Sequence, residues 1–257
     1  MLLTIDIGNT NITLGVFKQE ELHATWRMAT TIHRTTDEYA IILLNVLHQR
    51  EIKIADIRDI ALCSVVPPLT TIFEELSQRY FHISPLVVGT GVKTGVRIRM
   101  DNPREVGADR IVNAAAAHHL YDGPIIITDL GTATTFDTVS GEGDYLGGAI
   151  APGIETATEA LFMQAAMLPR VELIRPKQAI GTNTITAIQS GLIFGYVGLV
   201  EGIIARIQKE LGEKAKVVAT GGYAELIAKE TAVIEVVNPD LTLVGLRLIY
   251  LMNRDEP

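Results

Sequence analysis

Cysteine is almost missing from this chain of 257 residues: Cys63 is the only one. A single thiol excludes an internal disulfide framework and a multi-cysteine metal site within one chain, and it favours a reducing, cytoplasmic setting. Cys63 lies in the apolar run Ile60 to Val66, with no histidine or basic neighbour in sequence to lower its pKa, so it reads as a small core residue rather than a nucleophile. Aromatic residues are scarce as well, and Trp26 is the only tryptophan. Positive charge is in short supply: 22 basic against 30 acidic side chains give a formal charge of −8 without any basic run. Nucleic acid is therefore not an expected partner. A basic segment ahead of an apolar stretch is lacking at the N-terminus, where Asp6 interrupts the apolar residues at once, so no secretion signal is expected. The most apolar long stretch, Gly191 to Ile204, is broken by Glu201 and is short for a bilayer crossing, so no membrane association is expected. It reads as a buried helix, with a subunit contact as a further use. Nor is there a linker rich in Pro, Gly or Ser.

What is present is a pair of cassettes. Asp6-Ile7-Gly8-Asn9-Thr10 follows the apolar run Leu2 to Ile5, and Asp129-Leu130-Gly131-Thr132 follows Ile125 to Thr128. Each continues into a second strand-like segment, Asn11 to Phe17 and Ala133 to Val139. The two aspartates are 123 residues apart (129 minus 6), about the length of one domain. A buried strand fixes each acid, glycine lets backbone approach an anion, and Asn or Thr adds donors, which suits a polyphosphate with a bound cation. One such turn alone could join two strands of any sheet. Its repetition at domain spacing favours the ligand reading.

The remaining periodicities alternate strands with helices. Thr35-Thr36-Asp37-Glu38 predicts a capping box opening a helix through Arg50, with Ile41, Leu44 and Leu47, or Ile42, Val46 and Leu47, on its core face. Strands are predicted near 59–66, 85–88, 145–150, 216–219 and 233–237. Helices are predicted over 69–80, 108–121, 153–167, 183–211 and 241–253. The fold class is α/β, with mixed sheets flanked by helices. The boundary between domains is expected in or after the helix 108–121, giving 1–117 and 118–257, with the last helix packing back on the first domain.

Gly107-Ala108-Asp109-Arg110 should occupy the first turn of that helix, where free N–H groups favour an anion. Asp109 could be an ordinary dipole-complementing acid. Phosphoryl transfer to an alcohol, however, asks for one carboxylate aimed at the attacking hydroxyl, and Asp109 would supply it. Arg110 would hold the acceptor or a phosphoryl oxygen, or make a plain ion pair. Asp6 and Asp129 would serve cations. Gly147-Gly148-Ala149-Ile150 and Thr220-Gly221-Gly222 allow close backbone approach to a ligand, and Thr182 or Thr184 would cap the long helix. His118 and His119 point apart on a helix and read as surface or packed residues rather than metal ligands.

Taken in order, these motifs resemble those of the type III pantothenate kinase family, within the actin-like ATPase superfamily that includes sugar kinases and Hsp70 chaperones. The likeness runs over essentially the whole chain. It implies two ribonuclease-H-like domains with an interdomain cleft closing on ATP, and phosphorylation of pantothenate in a homodimer. By the same resemblance Asp6, Ile7, Gly8, Asn9, Thr10, Asn11, Ile12 and Thr13 would line the ATP phosphates, with Thr132 touching them as well. Asp109 would be the proton acceptor. Gly107, Ala108, Asp109 and Arg110 would form the pantothenate site with Thr184 and Met100, the last standing where similar sequences usually carry tyrosine. Asp129 would bind a monovalent cation, potassium or ammonium, beside magnesium, for which Asp6 is a candidate. A kinase of the same fold acting on another small alcohol or sugar, and a non-catalytic ATP-binding regulator, are the alternative readings.

Overall fold

The structure, a computed structural model, describes residues 1–165 and 167–254. Ala166, inside the helix predicted over 153–167, and residues 255–257, in the second predicted domain, lie outside it. Along the chain run β1 (Leu2–Ile7), β2 (Asn11–Lys18), β3 (Glu21–Ala29), α1 (Thr36–Gln49), β4 (Asp59–Ser64), α2 (Pro67–Leu76), β5 (Leu86–Val87), β6 (Arg97–Ile98) and α3 (Ala108–Leu120). They are followed by β7 (Ile125–Leu130), β8 (Ala133–Val139), β9 (Asp144–Pro152), α4 (Ile154–Gln164), α5 (Thr184–Leu211), β10 (Lys216–Thr220), α6 (Ala224–Ala228), β11 (Val236–Val237) and α7 (Leu241–Asn253).

Two compact units result. The first holds Met1–Val96, Asp101–Ala116 and the stretch from Asp240 on; the second holds Arg97–Met100 and Ala117–Pro239. The division thus falls inside α3. The helix α7 belongs to the first unit, and the short segment carrying β6 to the second, where β6 pairs with β9.

The first unit has the strand order β3-β2-β1-β4-β5, with β1 antiparallel to β2 and parallel to β4. In the second unit β9-β8-β7-β10-β11 repeat the same order and the same directions, with β6 added on the β9 edge. The repeat extends to burial. β1 and β7 are buried at every position except Asp6 and Asp129, each half-buried at the fifth place of its strand. Strands buried on both faces need apolar residues throughout, which is why Leu2-Leu3-Thr4-Ile5 and Ile125-Ile126-Ile127-Thr128 lack the alternation of a surface strand.

One face of the first sheet is covered by α1 and α2. Leu3, Ile5, Ile7, Ile12 and Leu14 meet Tyr39, Leu43, Leu69 and Phe73 there, all fully buried. Each such side chain contributes roughly 1.5–3 kcal/mol by leaving water. The capping box at Thr35 and Glu38 opens α1 as its sequence requires. Its core stripe differs from the predicted one: Tyr39, Ala40, Leu43 and Leu47 face inward, and Ile41 is exposed. The tyrosine decides this, because its ring packs at 5.0 Å on Phe73 while its hydroxyl bonds the Thr31 backbone, so the wettable end is satisfied without leaving the core.

The other face carries α3 and α7. Cys63, Val112, Ala115, Leu246 and Ile249 share one buried cluster. Gly245 permits the close approach of these helices, since a Cβ there would lie 2.3 Å from the Val112 carbonyl oxygen. Thr242 Oγ1 donates to Asn113 Oδ1 at 2.8 Å, tying α7 to α3. These contacts fix where the first turn of α3 points.

In the second unit α5 supplies Ile193, Tyr196, Val197, Val200 and Ile204 to the core against Ile126, Leu130 and Phe136. With 28 residues, α5 is by length and composition the one helix among the described residues able to cross a membrane, but that apolar face is what a core helix needs. Asn183 caps it with a capping box to Thr186, so neither Thr182 nor Thr184 is the cap. Gly212, at φ 73°, ends it in the left-handed region. The helix α4 stops at Gln164, earlier than predicted.

Candidate functional site

In the first unit the sheet register lines up four side chains on the face that carries α3. Cys63 on β4 pairs with Asp6 on β1, Asp6 with Thr13 on β2, and Thr13 with Arg27 on β3. Because side chains alternate along strands and align across them, these four form one row. The Cys63 thiol donates to Asp6 Oδ1 at 3.3 Å. Burial pushes the Asp6 carboxyl up to about 7; the thiol bond pulls it back, the charge of Asp109 adds to the rise, and that of Arg27 opposes it. Burial pushes the Cys63 thiol well above its ordinary value, and the two acids reinforce this, so Cys63 stays a neutral donor.

The turn after Asp6 is braced from β3. Gly8 N–H donates to Asn11 O at 3.0 Å, Thr30 Oγ1 donates to Gly8 O at 2.6 Å, and Thr30 N–H donates to Thr10 O at 2.9 Å. Asn9 and Thr10 are exposed at its tip. Asp109 stands in the first turn of α3, where its Oδ1 accepts from the Arg110 N–H at 2.8 Å. Gly107 fits against it: a Cβ there would lie 2.5 Å from Asp109 Oδ1. Asp6, Thr13 and the 107–110 turn are thus held on one unit, with two carboxylates close enough to sense each other.

In the second unit Asp129 lies in a recess walled by glycine. A Cβ on Gly221 (φ +91°) would sit 2.4 Å from Asp129 Oδ1, and one on Gly131 would sit 3.3 Å from it. The strand register pairs Asp129 with Thr135 on β8 and Thr220 on β10. Gly221→Ala combines strain at positive φ with a clash on the carboxylate and the Leu130 backbone. It should cost about 1–3 kcal/mol, seen as a lower melting temperature, and it should displace Asp129. Thr132 is exposed, and its carbonyl accepts from Gly153 N–H and Thr156 Oγ1. Met100 rests against Gly147 (φ +110°), where a Cβ would meet its Sδ at 2.9 Å. Thr184, exposed in the first turn of α5, lines an open groove of about 790 Å³ with Leu161, Asn183 and Gly191. His118 packs against Gly143. Among the described residues no group of three or more His, Cys, Asp or Glu side chains could hold a metal alone.

The repeated sheet is shared with proteins of known structure. A ROK hexokinase from Thermus thermophilus superposes with a TM-score of 0.54 at 16% identity, covering 98% of both chains. A protein from Campylobacter jejuni labelled a Baf family transcriptional activator superposes at 0.63, with 20% identity and 98% of both chains covered. At such identities the likeness concerns the fold. Sequence narrows it further. The family model for type III pantothenate kinase matches residues 2–206. A type III pantothenate kinase from Dehalococcoides mccartyi is 57% identical over 253 residues, 98% of this chain and 96% of that protein. The chain belongs to the type III pantothenate kinase family.

Two features of the first unit escaped the sequence reading. The thiol of Cys63 bonds Asp6 instead of serving only as packing. Arg27 joins the row although it sits in an exposed strand of ordinary alternation. Counting register back from the tight turn at Gln19 and Glu20 would place Trp26 opposite Thr13; the bulge between Val16 and Phe17 shifts the pairing by one to Arg27, which sequence alone does not show.

Proposed function

We propose that the protein transfers the terminal phosphoryl group of ATP to the primary hydroxyl of pantothenate, the first committed step towards coenzyme A. The observation that carries this reading is the 57% identity, over nearly the full chain, to a relative named for that activity. In the reaction the pantothenate oxygen attacks the γ-phosphorus, a new O–P bond forms, and the bond to the bridging oxygen breaks, leaving ADP. The hydroxyl proton passes to Asp109. Asp6 to Thr13 line the triphosphate, with Thr132 as a further contact, and Gly107 to Arg110, Met100 and Thr184 bind pantothenate. The transition state is loose, so positioning and neutralisation of phosphoryl charge outweigh the proton transfer.

The donor sets fit the ions the reaction needs. Magnesium commonly binds through one or two carboxylates with substrate phosphates and water, and Asp6 offers one carboxylate beside the turn. Asp129, with the backbone of Gly221 and Gly131 close against its carboxylate, is the candidate for a monovalent ion such as potassium or ammonium. Bound there, such ions offset triphosphate charge. Replacing K⁺ by Na⁺ should depress turnover, and Asp129→Ala should abolish the difference; equal rates in both salts for the unaltered protein would end the assignment. We further propose a cytoplasmic homodimer. Its support is the exposed apolar set Leu161, Met163, Ile180 and Ile185 around α4 and α5, and its check is the mass in solution by light scattering. The direct test of the activity is turnover of purified protein with ATP, Mg²⁺ and K⁺. Pantothenate should be consumed, and a preference for glucose or an N-acetylated sugar would replace this reading with a sugar kinase.

A further inference from the structure

We propose that Arg27 is a catalytic residue, binding an oxygen of the phosphoryl group being transferred. The proposal rests on the reading that the Asp6 to Thr13 turn holds the triphosphate. That turn has a deficit the sequence makes plain: none of Asp6, Ile7, Gly8, Asn9, Thr10, Asn11, Ile12 and Thr13 is basic. The next basic residue, Lys18, closes β2 at its opposite end, paired with Glu21. A phosphoryl group in flight spreads negative charge over its equatorial oxygens and needs a cation near them.

Arg27 meets the requirement by position. It pairs with Thr13, which pairs with Asp6, so it stands on the acid's face two strands away, roughly 10 Å between strand axes. An arginine stem can cover most of that distance by lying over Thr13, a short side chain. The strand that carries it is anchored to the turn itself, because Thr30, three residues on, bonds Gly8 and Thr10. Its charge already acts on Asp6 across the row. The residue is exposed, and among the described residues no hydrogen bond or ion pair holds its guanidinium. A surface arginine kept for an ion pair would be expected near an acid on its own or the adjoining strand; its cross-strand partner is instead Thr13. The planar fork suits two phosphoryl oxygens, which a lysine cannot bridge in the same way.

The experiment compares Arg27→Gln and Arg27→Lys with the unaltered protein, using calorimetric titration of a non-hydrolysable ATP analogue and of ADP, together with steady-state kinetics. Loss of one hydrogen bond to a charged group should weaken the ATP analogue about 10- to 150-fold in Arg27→Gln. ADP, which lacks the contacted group, should keep its affinity to within about threefold. Turnover should fall while the KM for pantothenate and the melting temperature stay unchanged, and Arg27→Lys should recover part of the loss. If Arg27→Gln binds the ATP analogue as the unaltered protein does, or loses ADP to the same degree, Arg27 does not touch the transferred group, although the kinase reading stands. If the unaltered protein binds neither nucleotide, the reading of the turn fails and Arg27 loses its role with it.

Discussion

Asp109→Asn should lower turnover of pantothenate by about 10²- to 10⁴-fold, the range supplied by a positioned general base. The change is nearly isosteric. An asparagine oxygen can still accept the Arg110 N–H that Asp109 Oδ1 accepts at 2.8 Å, and Gly107 leaves the side chain the same space. The first turn of α3 loses a favourable acid, worth about 0.3–1 kcal/mol, which is small beside the barrier change. The KM for pantothenate should therefore move little and the fold should persist, so the loss appears in kcat. Stopped-flow or coupled assays at saturating ATP measure it, alongside the melting temperature. A variant that keeps turnover within tenfold would reduce Asp109 to a helix-end acid and return the proton to solvent.

The cassettes were legible because they combine two independent constraints. A strand buried on both faces demands unbroken apolar residues, and a polar end demands an acid, glycine and hydroxyls; few other arrangements produce that pattern. The structure adds that β1 and β7 share their burial position by position, which a linear reading can suspect only from the motifs. The capping box at Thr35 and the helix Leu241–Asn253 were visible through local chemistry and spacing alone. Where several apolar stripes share one helix, sequence does not choose. The inward stripe of α1 follows Tyr39, whose pairing with Phe73 is a tertiary fact. The two-residue strand β6 has too few residues for any periodicity, and its place on β9 depends on a parallel pairing of Arg97 with Asp144, 47 residues further on (144 minus 97). At the start of the long helix, composition does not choose among Thr182, Asn183 and Thr184 as the cap; the structure gives that role to Asn183, and Thr184 is thereby released from capping. Site chemistry carried by strand neighbours, as in Cys63 and Arg27, is hidden for the same reason: register is a property of the sheet.

Asp6 combines a cost and a use, and the two can be separated by pH. Its carboxyl ordinarily titrates at 3.8 and is pushed up to about 7 in the folded protein, chiefly by burial. The folded state therefore holds this proton more tightly than the unfolded one. Below about pH 4 both states are protonated and nothing is lost. Between about 4 and 7 the unfolded chain releases the proton first, so stability falls as pH rises, and above 7 the cost stays constant. A rise of three units corresponds to at most about 4 kcal/mol, reduced because the residue keeps partial contact with water. Asp6→Asn removes the ionisation yet still offers the Cys63 thiol an oxygen. In EDTA and without nucleotide, the variant should melt several degrees above the unaltered protein at pH 8, and the gap should close towards pH 4. Turnover should be lost, and Mg²⁺ with ATP should raise the melting temperature of the unaltered protein far more than that of the variant. A variant that melts at or below the unaltered protein at pH 8 would mean that the carboxylate is stabilised where it stands, by Arg27 or the turn, and that no stability is given up to hold a charge there.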